Sequence, residues 1–365
     1  MRHGIASAAL LACIFVGCGG SGDGGSGGPG PGTLPPPPPP PPNTNCPLSD
    51  SRLSNSCVRH GDSITISGAG FGTKPSAAPW LWDDFEGGAA NQPLSTGGWV
   101  HYWSASYPVY AGGGYASAQA AHTPMPRALD NFNTAGRKGL NALEAYYSYR
   151  FRYDVVDGSF ATDGAFIKLL RSNADPDFYR SNPRFYTSLF PAAGQVNAGY
   201  SDAAASIDEI QWANADMATG TWHRLEVYYR YSNPAGTANG ELQAWLNGER
   251  FASYSNVVTR SAASSARVID NFLLPFMADR LLNLALNVYV DDVYVDRTQA
   301  RVEIGNASTW AQCTRREVQI PTAWSDSRIS VRVHRGGFAP GERAYLYVID
   351  ASGNAGAGIP LEFAP

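Results

Sequence analysis

The sequence has little charge, and what it has is nearly balanced. Among 365 residues, 27 are lysine or arginine and 31 are aspartate or glutamate, so the net charge is −4. Lysine is confined to Lys74, Lys138 and Lys168. The chain therefore lacks the basic surface that attracts nucleic acids or anionic membranes, and we predict no nucleic-acid partner.

Several patterns that carry chemistry are also missing. The sequence has no Cys-x-x-Cys and no pair of histidines at ligand spacing, which excludes the common zinc motifs. It has no Glu-x-Asp-x-x-Glu strand, as retaining glucanases on a jelly-roll fold require. The block GDSIT at 61–65 superficially matches the nucleophile block of GDS-type esterases, but no Asp-x-x-His could supply its base. We predict no organic cofactor.

Long apolar runs are absent, and the apolar stretch at 5–16 is too short to span a bilayer. It predicts an export signal. The stretch ends in Val16-Gly17-Cys18, which resembles the lipobox of bacterial lipoproteins, in which the cysteine becomes the lipidated first residue. The resemblance implies that Cys18 anchors an exported protein to the cell envelope, at the outer membrane in a Gram-negative host. An ordinary cleaved signal with an incidental cysteine is the alternative.

Glycine, serine and proline dominate residues 18–45, which end in an unbroken proline run at 35–42. Such a segment cannot bury a core and predicts a spacer between the signal at 1–17 and a folded body at 46–365. The body contains Cys46, Cys57 and Cys313. Export favours one disulfide, formed either between the first two cysteines or between one of them and Cys313.

The body has a strong β pattern. In residues 144–154 Tyr147, Tyr149 and Phe151 alternate with polar side chains, and Asn247-Gly248 is a hairpin turn signal between two further strands. Repeated strands and turns predict an all-β sandwich or jelly roll.

Residues 61–72, GDSITISGAGFG, resemble the opening hairpin of IPT/TIG domains, which are immunoglobulin-like sandwiches. The matching later strands stand at 300–305, 324–331 and 344–350. The resemblance implies a discontinuous sandwich formed by 46–78 and 299–365, with a second domain at 79–298 inserted into it.

The inserted segment resembles a concanavalin A-like lectin or glucanase jelly roll. The likeness rests on WHRLEV at 222–227, QAWLNG at 243–248 and YVDDV at 289–293. It implies that the first and last strands of the insert are neighbours.

Carbohydrate binding is the function that these patterns favour. Aromatic side chains stack on pyranose rings, and the candidates are Trp103, Tyr107, Trp212 and Trp245. We therefore predict a polysaccharide partner, with membrane contact through the lipid anchor alone. A structural or protein-binding component of the envelope is a further alternative.

A polysaccharide lyase is the competing hypothesis. β-Elimination from a uronate needs a cation to neutralise the carboxylate, together with a base. Lys168, Arg171 and Arg150 are the candidates. On one straight strand Lys168 and Arg171 would point to opposite faces, so a shared cleft requires a bulge. The arginine-rich strand and the Gln-x-His strand of jelly-roll alginate lyases are missing.

Acidic residues mark both ends of the insert. Asp84 and Glu86 belong to its first strand, and Asp291 and Asp292 to its last. If these strands are adjacent, the carboxylates could bind a structural Ca²⁺. The alternative is a set of solvated carboxylates at a sheet edge.

Overall fold

The computed structural model describes residue 46 and residues 48–102, 107–132, 134–160, 163–174 and 182–365. The predicted all-β fold is confirmed, because these residues form 25 strands and four short 3-10 helices. The first strands are β1 (Cys57–Val58), β2 (Ser63–Ser67), β3 (Leu81–Asp83), β4 (Val100–Tyr102), β5 (Val109–Gly112), β6 (Gln119–Met125), β7 (Ala128–Phe132), β8 (Thr134–Arg137), β9 (Glu144–Gly158) and β10 (Phe166–Ala174).

The remaining strands are β11 (Arg184–Phe190), β12 (Gln195–Asp202), β13 (Ile207–Asn214), β14 (His223–Arg230), β15 (Gly240–Leu246), β16 (Glu249–Val257), β17 (Ile269–Leu273), β18 (Met277–Leu281), β19 (Leu284–Asp296), β20 (Arg301–Gly305), β21 (Arg316–Val318), β22 (Ile320–Trp324), β23 (Arg328–Arg332), β24 (Arg343–Ile349) and β25 (Ile359–Phe363). The 3-10 helices are Pro191–Ala193, Ala203–Ala205, Ala262–Ser264 and Trp310–Gln312.

Strands β3 to β19 form a large sandwich of two sheets. The nine-stranded sheet has the order β13-β12-β11-β10-β17-β8-β4, with β18 beside β10 and β7 beside β18. The eight-stranded sheet has the order β16-β15-β14-β9-β19-β6-β5, with β3 beside β19. One continuous apolar core lies between the two sheets, which is the layer arrangement of a jelly roll.

Strand β9 illustrates how the alternating sequence builds this core. Tyr147, Tyr149 and Phe151 point inward and are at most 2% exposed. The intervening side chains project from the opposite face of the sheet, where Arg150 donates a hydrogen bond to Glu317. The predicted hairpin is also present, with positive φ at both Asn247 and Gly248. Removing a buried ring such as that of Phe151 would cost about 3–5 kcal/mol.

The two ends of the large sandwich meet. Strand β3 pairs antiparallel with β19, and Asp83 lies opposite Val293. Since β3 opens the large sandwich and β19 closes it, the chain enters and leaves this part at one place. The neighbouring first and last strands that the jelly-roll resemblance implied are therefore present.

Strands from both ends of the body form a small sandwich. Its five-stranded sheet has the order β1-β25-β24-β20-β21, and its three-stranded sheet has the order β2-β23-β22. The two sheets share an apolar core to which Val58 and Ile64 contribute from the early strands and Ile329 and Leu346 from the late ones. Residues before 79 and after 298 thus fold together. The identity of this part as an IPT/TIG domain stays a prediction.

A disulfide joins Cys46 to Cys57, which settles the pairing that the sequence left open. Cys313 is a buried free thiol. In the part of the chain that the structure describes, no helix has the length and apolar character needed to cross a membrane. Cys18 and the proline-rich segment lie outside the described residues, so lipidation and anchoring stay predictions.

Candidate functional site

A bulge in β10 brings two predicted catalytic cations onto one face of the nine-stranded sheet. Lys168 lies opposite Ser188 and Arg171 lies opposite Tyr186, with a register shift between Lys168 and Leu170. Ser188 and Tyr186 are two residues apart on β11 and therefore share a face. This extra residue is the bulge that Lys168 and Arg171 need in order to face one cleft. We call this outward side of the sheet, away from the core, the polar face.

Both cations are held by neighbours on the polar face. The Lys168 ammonium donates to Asp279 at 2.5 Å, and the Arg171 guanidinium donates to the carbonyl of Thr187 at 3.1 Å. Lys168 and Arg171 also lie over the Phe166 ring, at 5.2 and 5.7 Å from its centroid. Their charged groups are thus fixed in position rather than free to move on long side chains.

Three asparagines add amide groups to the same face. Asn173 lies opposite Arg184, and its Nδ2 donates to the side-chain Oδ1 of Asn271 at 3.2 Å, while Asn197 lies opposite Ser188. All three are at most 3% exposed. Among the described residues, Asn197 Oδ1 and Asn271 Nδ2 have no hydrogen-bond partner. Unsatisfied buried polar atoms are costly, so these two atoms suggest a polar ligand.

Tyr186 is fixed beside the cations by an acid on β13. Its hydroxyl donates to Asp208 at 2.8 Å, and its ring stacks under Arg171 at 5.1 Å. Burial and the hydrogen bond to Asp208 raise the pKa of Tyr186 above its ordinary value. The phenol therefore stays protonated at neutral pH and can act as a hydrogen-bond or proton donor.

A row of aromatic rings leads from the cations to the edge of the sheet. Phe166 stacks on Phe190 with centroids 4.7 Å apart, and Phe190 contacts Trp212 at 4.8 Å. Trp212 is 50% exposed on β13, which is an edge strand. Side chains thus become more exposed along the row, from the buried Lys168 to the half-exposed ring of Trp212.

Two of the other predicted carbohydrate-binding aromatics, Trp245 and Tyr107, do not share this surface with Trp212. Trp245 is half-buried on the eight-stranded sheet and packs against the cluster of Tyr146, Tyr228 and Tyr294. Tyr107 is 48% exposed and contacts His101 between β4 and β5. Trp103 lies outside the described residues. Of the four aromatics predicted as one binding set, the three that the structure describes therefore do not form one surface.

Arg150 does not join Lys168 and Arg171. It lies on the eight-stranded sheet and donates to Glu317 of the small sandwich at 2.7 Å. The prediction that Arg150 lies with Lys168 and Arg171 in one lyase site is therefore wrong. Arg150 faces the boundary between the two sandwiches, which we call the seam. Other buried ion pairs link the same two parts of the chain: Lys74–Asp296, Arg224–Glu303 and His334–Asp292.

The four carboxylates predicted to bind calcium are distributed along the seam. Asp84 and Glu86 line an open cleft of about 220 Å³ beside His334. Asp291 accepts from the Tyr115 amide and the Ser117 hydroxyl. Burial and the adjacent Asp292 charge raise the pKa of Asp291 well above its ordinary value. Calcium binding by this set stays a prediction.

Asp292 belongs to a different group. With Glu317 and His334 it forms a cluster whose ligand atoms lie within 4.8 Å of one another, the one group of this kind within the described ranges. Glu317 and His334 could not be predicted as ligands from the sequence, because they are far from Asp292 in the chain and follow no ligand spacing. The folding of the two chain ends into one sandwich brings them to Asp292.

The sequence matches no protein-family model, and a comparison with curated proteins also gives no match. Solved structures of similar fold include an endo-β-1,4-glucuronan lyase from the fungus Trichoderma reesei, at 13% identity and a TM-score of 0.41, covering 60% of this chain and 96% of that one. Alginate lyase Aly36B matches at 11% identity and a TM-score of 0.42, covering 60% and 97%. The carbohydrate-binding module CBM66 from Bacillus subtilis matches at 8% identity and a TM-score of 0.32, covering 55% and 95%. The function of this chain is therefore inferred from its own residues.

Proposed function

We propose that this protein is a surface-anchored lipoprotein that binds an acidic polysaccharide on the polar face. The proposal rests on the bulge in β10, which puts Lys168 and Arg171 on the same face of the sheet as Tyr186. Two fixed cations on one face suit the carboxylates that a uronate polymer presents at regular intervals.

The neutral groups of the polar face suit the rest of such a polymer. The unsatisfied Asn197 Oδ1 and Asn271 Nδ2 offer an acceptor and a donor for sugar hydroxyls. The exposed Trp212 ring offers an apolar surface on which a pyranose ring can stack. Charge, amide and aromatic groups then contact successive parts of one extended chain.

Cleavage of the same polymer by β-elimination is the second candidate function, favoured by the position of Tyr186. Lys168 and Arg171 would neutralise the uronate carboxylate and so acidify the proton on the adjacent carbon. The Tyr186 hydroxyl would take that proton while passing its own to Asp208, to which it is hydrogen-bonded. It would return a proton to the oxygen of the leaving sugar as the C–O bond breaks.

Binding and cleavage are distinguished by mixing the full chain with polygalacturonate, alginate and a neutral glucan. Co-sedimentation measures binding, and ultraviolet absorbance detects the unsaturated product of elimination. We expect sedimentation with at least one polyuronate and none with the glucan. Rising absorbance would establish the lyase instead, and no signal of either kind would contradict both functions and favour a structural role.

The lysine variants provide a matched pair for this experiment. Lys168→Met removes a cation of the polar face, whereas Lys138→Met removes an exposed lysine next to β8. We expect Lys168→Met to weaken polyuronate binding about tenfold or more, the equivalent of 1.4 kcal/mol, and Lys138→Met to leave it unchanged. Equal affinities in the two variants would contradict the assignment of the site.

A further inference from the structure

We infer that Asp292, Glu317 and His334 form a binding site for a divalent transition-metal ion such as Zn²⁺ at the seam. This site is separate from the polar face and is independent of polysaccharide binding. Asp292 comes from β19 of the large sandwich, Glu317 from β21 of the small sandwich, and His334 from the segment after β23. Their ligand atoms lie within 4.8 Å of one another.

A local irregularity in β19 directs the Asp292 side chain toward the small sandwich. The register between β19 and β9 shifts between Asp291 and Tyr294. Asp292 adopts a positive φ of 51° within this irregularity. Its side chain reaches across the seam, where Oδ2 lies 3.1 Å from His334 Nε2. The large sandwich thus contributes a carboxylate to a group otherwise built by the small one.

Two atoms of the group are buried without a partner. Asp292 Oδ1 and His334 Nδ1 have no hydrogen-bond partner within the described residues, although the two residues are only 7% and 5% exposed. A buried carboxylate oxygen that lacks a hydrogen-bond partner destabilises the folded state. A bound ion, or a water molecule that it carries, would satisfy these atoms.

The space beside the group admits an ion and excludes an organic ligand. Asp292, Glu317 and His334 line one cavity of about 10 Å³, which is close to the minimum that holds a single water molecule. Trp82, whose indole nitrogen has no hydrogen-bond partner in the described part of the chain, lines the same cavity. A sugar or nucleotide cannot enter a space of this size.

Two arginines also line the cavity, and the surrounding acids compensate for their charge. Arg224 is paired with Glu226 and Glu303. Arg150 neutralises Glu317 by a single bond to Oε2. A carboxylate has about four lone-pair sites, and Glu317 accepts three hydrogen bonds, from Arg150, Tyr115 and the Gly337 amide. One site therefore remains for a metal, and Asp292 supplies a negative charge that Arg150 does not balance.

The ligand types select the class of ion. An imidazole nitrogen with carboxylate oxygens suits zinc and similar transition ions, whereas calcium and magnesium prefer oxygen ligands alone. Binding would displace any proton from the His334 imidazole. Since the ligands come from both sandwiches, the ion would join the large sandwich to the small one.

The test uses the full chain, stripped with EDTA and dialysed against Zn²⁺. We expect one zinc ion per chain, and a Co²⁺-substituted form whose absorption lacks a thiolate charge-transfer band. We expect Asp292→Asn and His334→Ala to bind zinc about tenfold or more weakly. His60→Ala, which removes a histidine adjacent to His334 but outside the group, should retain the wild-type affinity.

Several results would overturn the site. One is a wild-type protein that takes up no zinc, which would leave a buried water molecule as the occupant of the cavity. Another is zinc binding that survives both substitutions or gives a thiolate band from a cysteine. Displacement of zinc by equimolar Ca²⁺ would also contradict it. If both variants fail to fold, the uptake and the Co²⁺ spectrum of the wild type still decide the question.

Discussion

At the seam, buried cations and carboxylates mostly satisfy one another, whereas on the polar face buried amide atoms find no partner among the residues that the structure describes. Glu303 is fully buried and accepts from Arg224 at 2.9 Å and from Arg301 at 2.6 Å. On the polar face Asn197 and Asn271 are at most 3% exposed, and each has one polar atom without a partner in the described part of the chain. Paired buried charges hold a structure in one arrangement. Buried polar atoms that lack a hydrogen-bond partner are rare, and a bound ligand can supply the missing partner.

The comparison predicts that substitutions at the seam reduce stability and that substitutions on the polar face reduce binding. Two of the three seam residues assigned to zinc resemble the polar face, because Asp292 and His334 each retain an atom that has no partner within the described ranges. Within the described residues, unsatisfied buried atoms are thus present at both places at which we propose ligands.

The largest expected effect is at Glu303. Glu303→Gln leaves Arg224 and Arg301 buried with reduced compensation, which should lower the free energy of unfolding by about 3–5 kcal/mol. Glu342→Gln is the control, because its ion pair with Arg315 is about 30% exposed and should contribute at most about 1 kcal/mol. Denaturant unfolding measures both. Equal losses in the two variants would contradict the distinction between the seam and an ordinary surface pair.

The stabilisation that Glu303 contributes at the seam should depend on pH. Burial alone would raise the pKa of Glu303, but the Arg224 and Arg301 charges outweigh burial and lower it from 4.5 to about 2. The stabilisation is therefore complete above the unfolded-state pKa and is lost as pH falls through that interval. We expect the unfolding free energy of the wild type to decrease from about pH 4.5 to 2, and Glu303→Gln to show a smaller decrease. Parallel pH profiles would show that Glu303 is not responsible.

Asn197 on the polar face should show the opposite behaviour to Glu303. Because Asn197 Oδ1 has no partner within the described residues, Asn197→Ala should change the unfolding free energy by less than about 1 kcal/mol. We expect its affinity for a polyuronate to decrease about tenfold. Asn287→Ala on the eight-stranded sheet, which removes a hydrogen bond to His122, should leave that affinity unchanged. A large loss of stability without loss of binding would make Asn197 a structural residue.

Trp212 should give the smallest effect on stability. Its ring is 50% exposed, so Trp212→Ala should alter the unfolding free energy by about 0.5 kcal/mol or less. Loss of stacking should weaken polysaccharide binding by a factor of about 3 to 10. Leu282→Ala, at 53% exposure, is the matched control, and calorimetric titration gives both affinities. Equal affinities would remove Trp212 from the site.

Local patterns of the sequence predicted the strands well. The alternation in β9 correctly separated Tyr147, Tyr149 and Phe151 from the polar side chains, and the structure places these three in the core. Asn247-Gly248 correctly predicted a hairpin. These features depend on side chains a few residues apart, for which the two-residue period of a strand is sufficient. The pairing of the first and last strands of the large sandwich followed from the jelly-roll resemblance.

The arrangement of the site depended on features that no local pattern carries. The bulge between Lys168 and Leu170 adds one residue and reverses the alternation beyond it, so the shared face of Lys168 and Arg171 could be stated only as a condition. The contacts of Arg150 with Glu317 and of Asp292 with His334 join residues far apart in the chain. Only the packing of the small sandwich against the large one determines them.

The most direct test of the central claim is a crystal structure of the full chain with an oligouronate. We predict that the sugar lies on the polar face, with a carboxylate near Lys168 and Arg171, a hydroxyl bonded to Asn197 Oδ1 and a ring on Trp212. An oligosaccharide bound to the eight-stranded sheet or the small sandwich, with the polar face empty, would contradict the account.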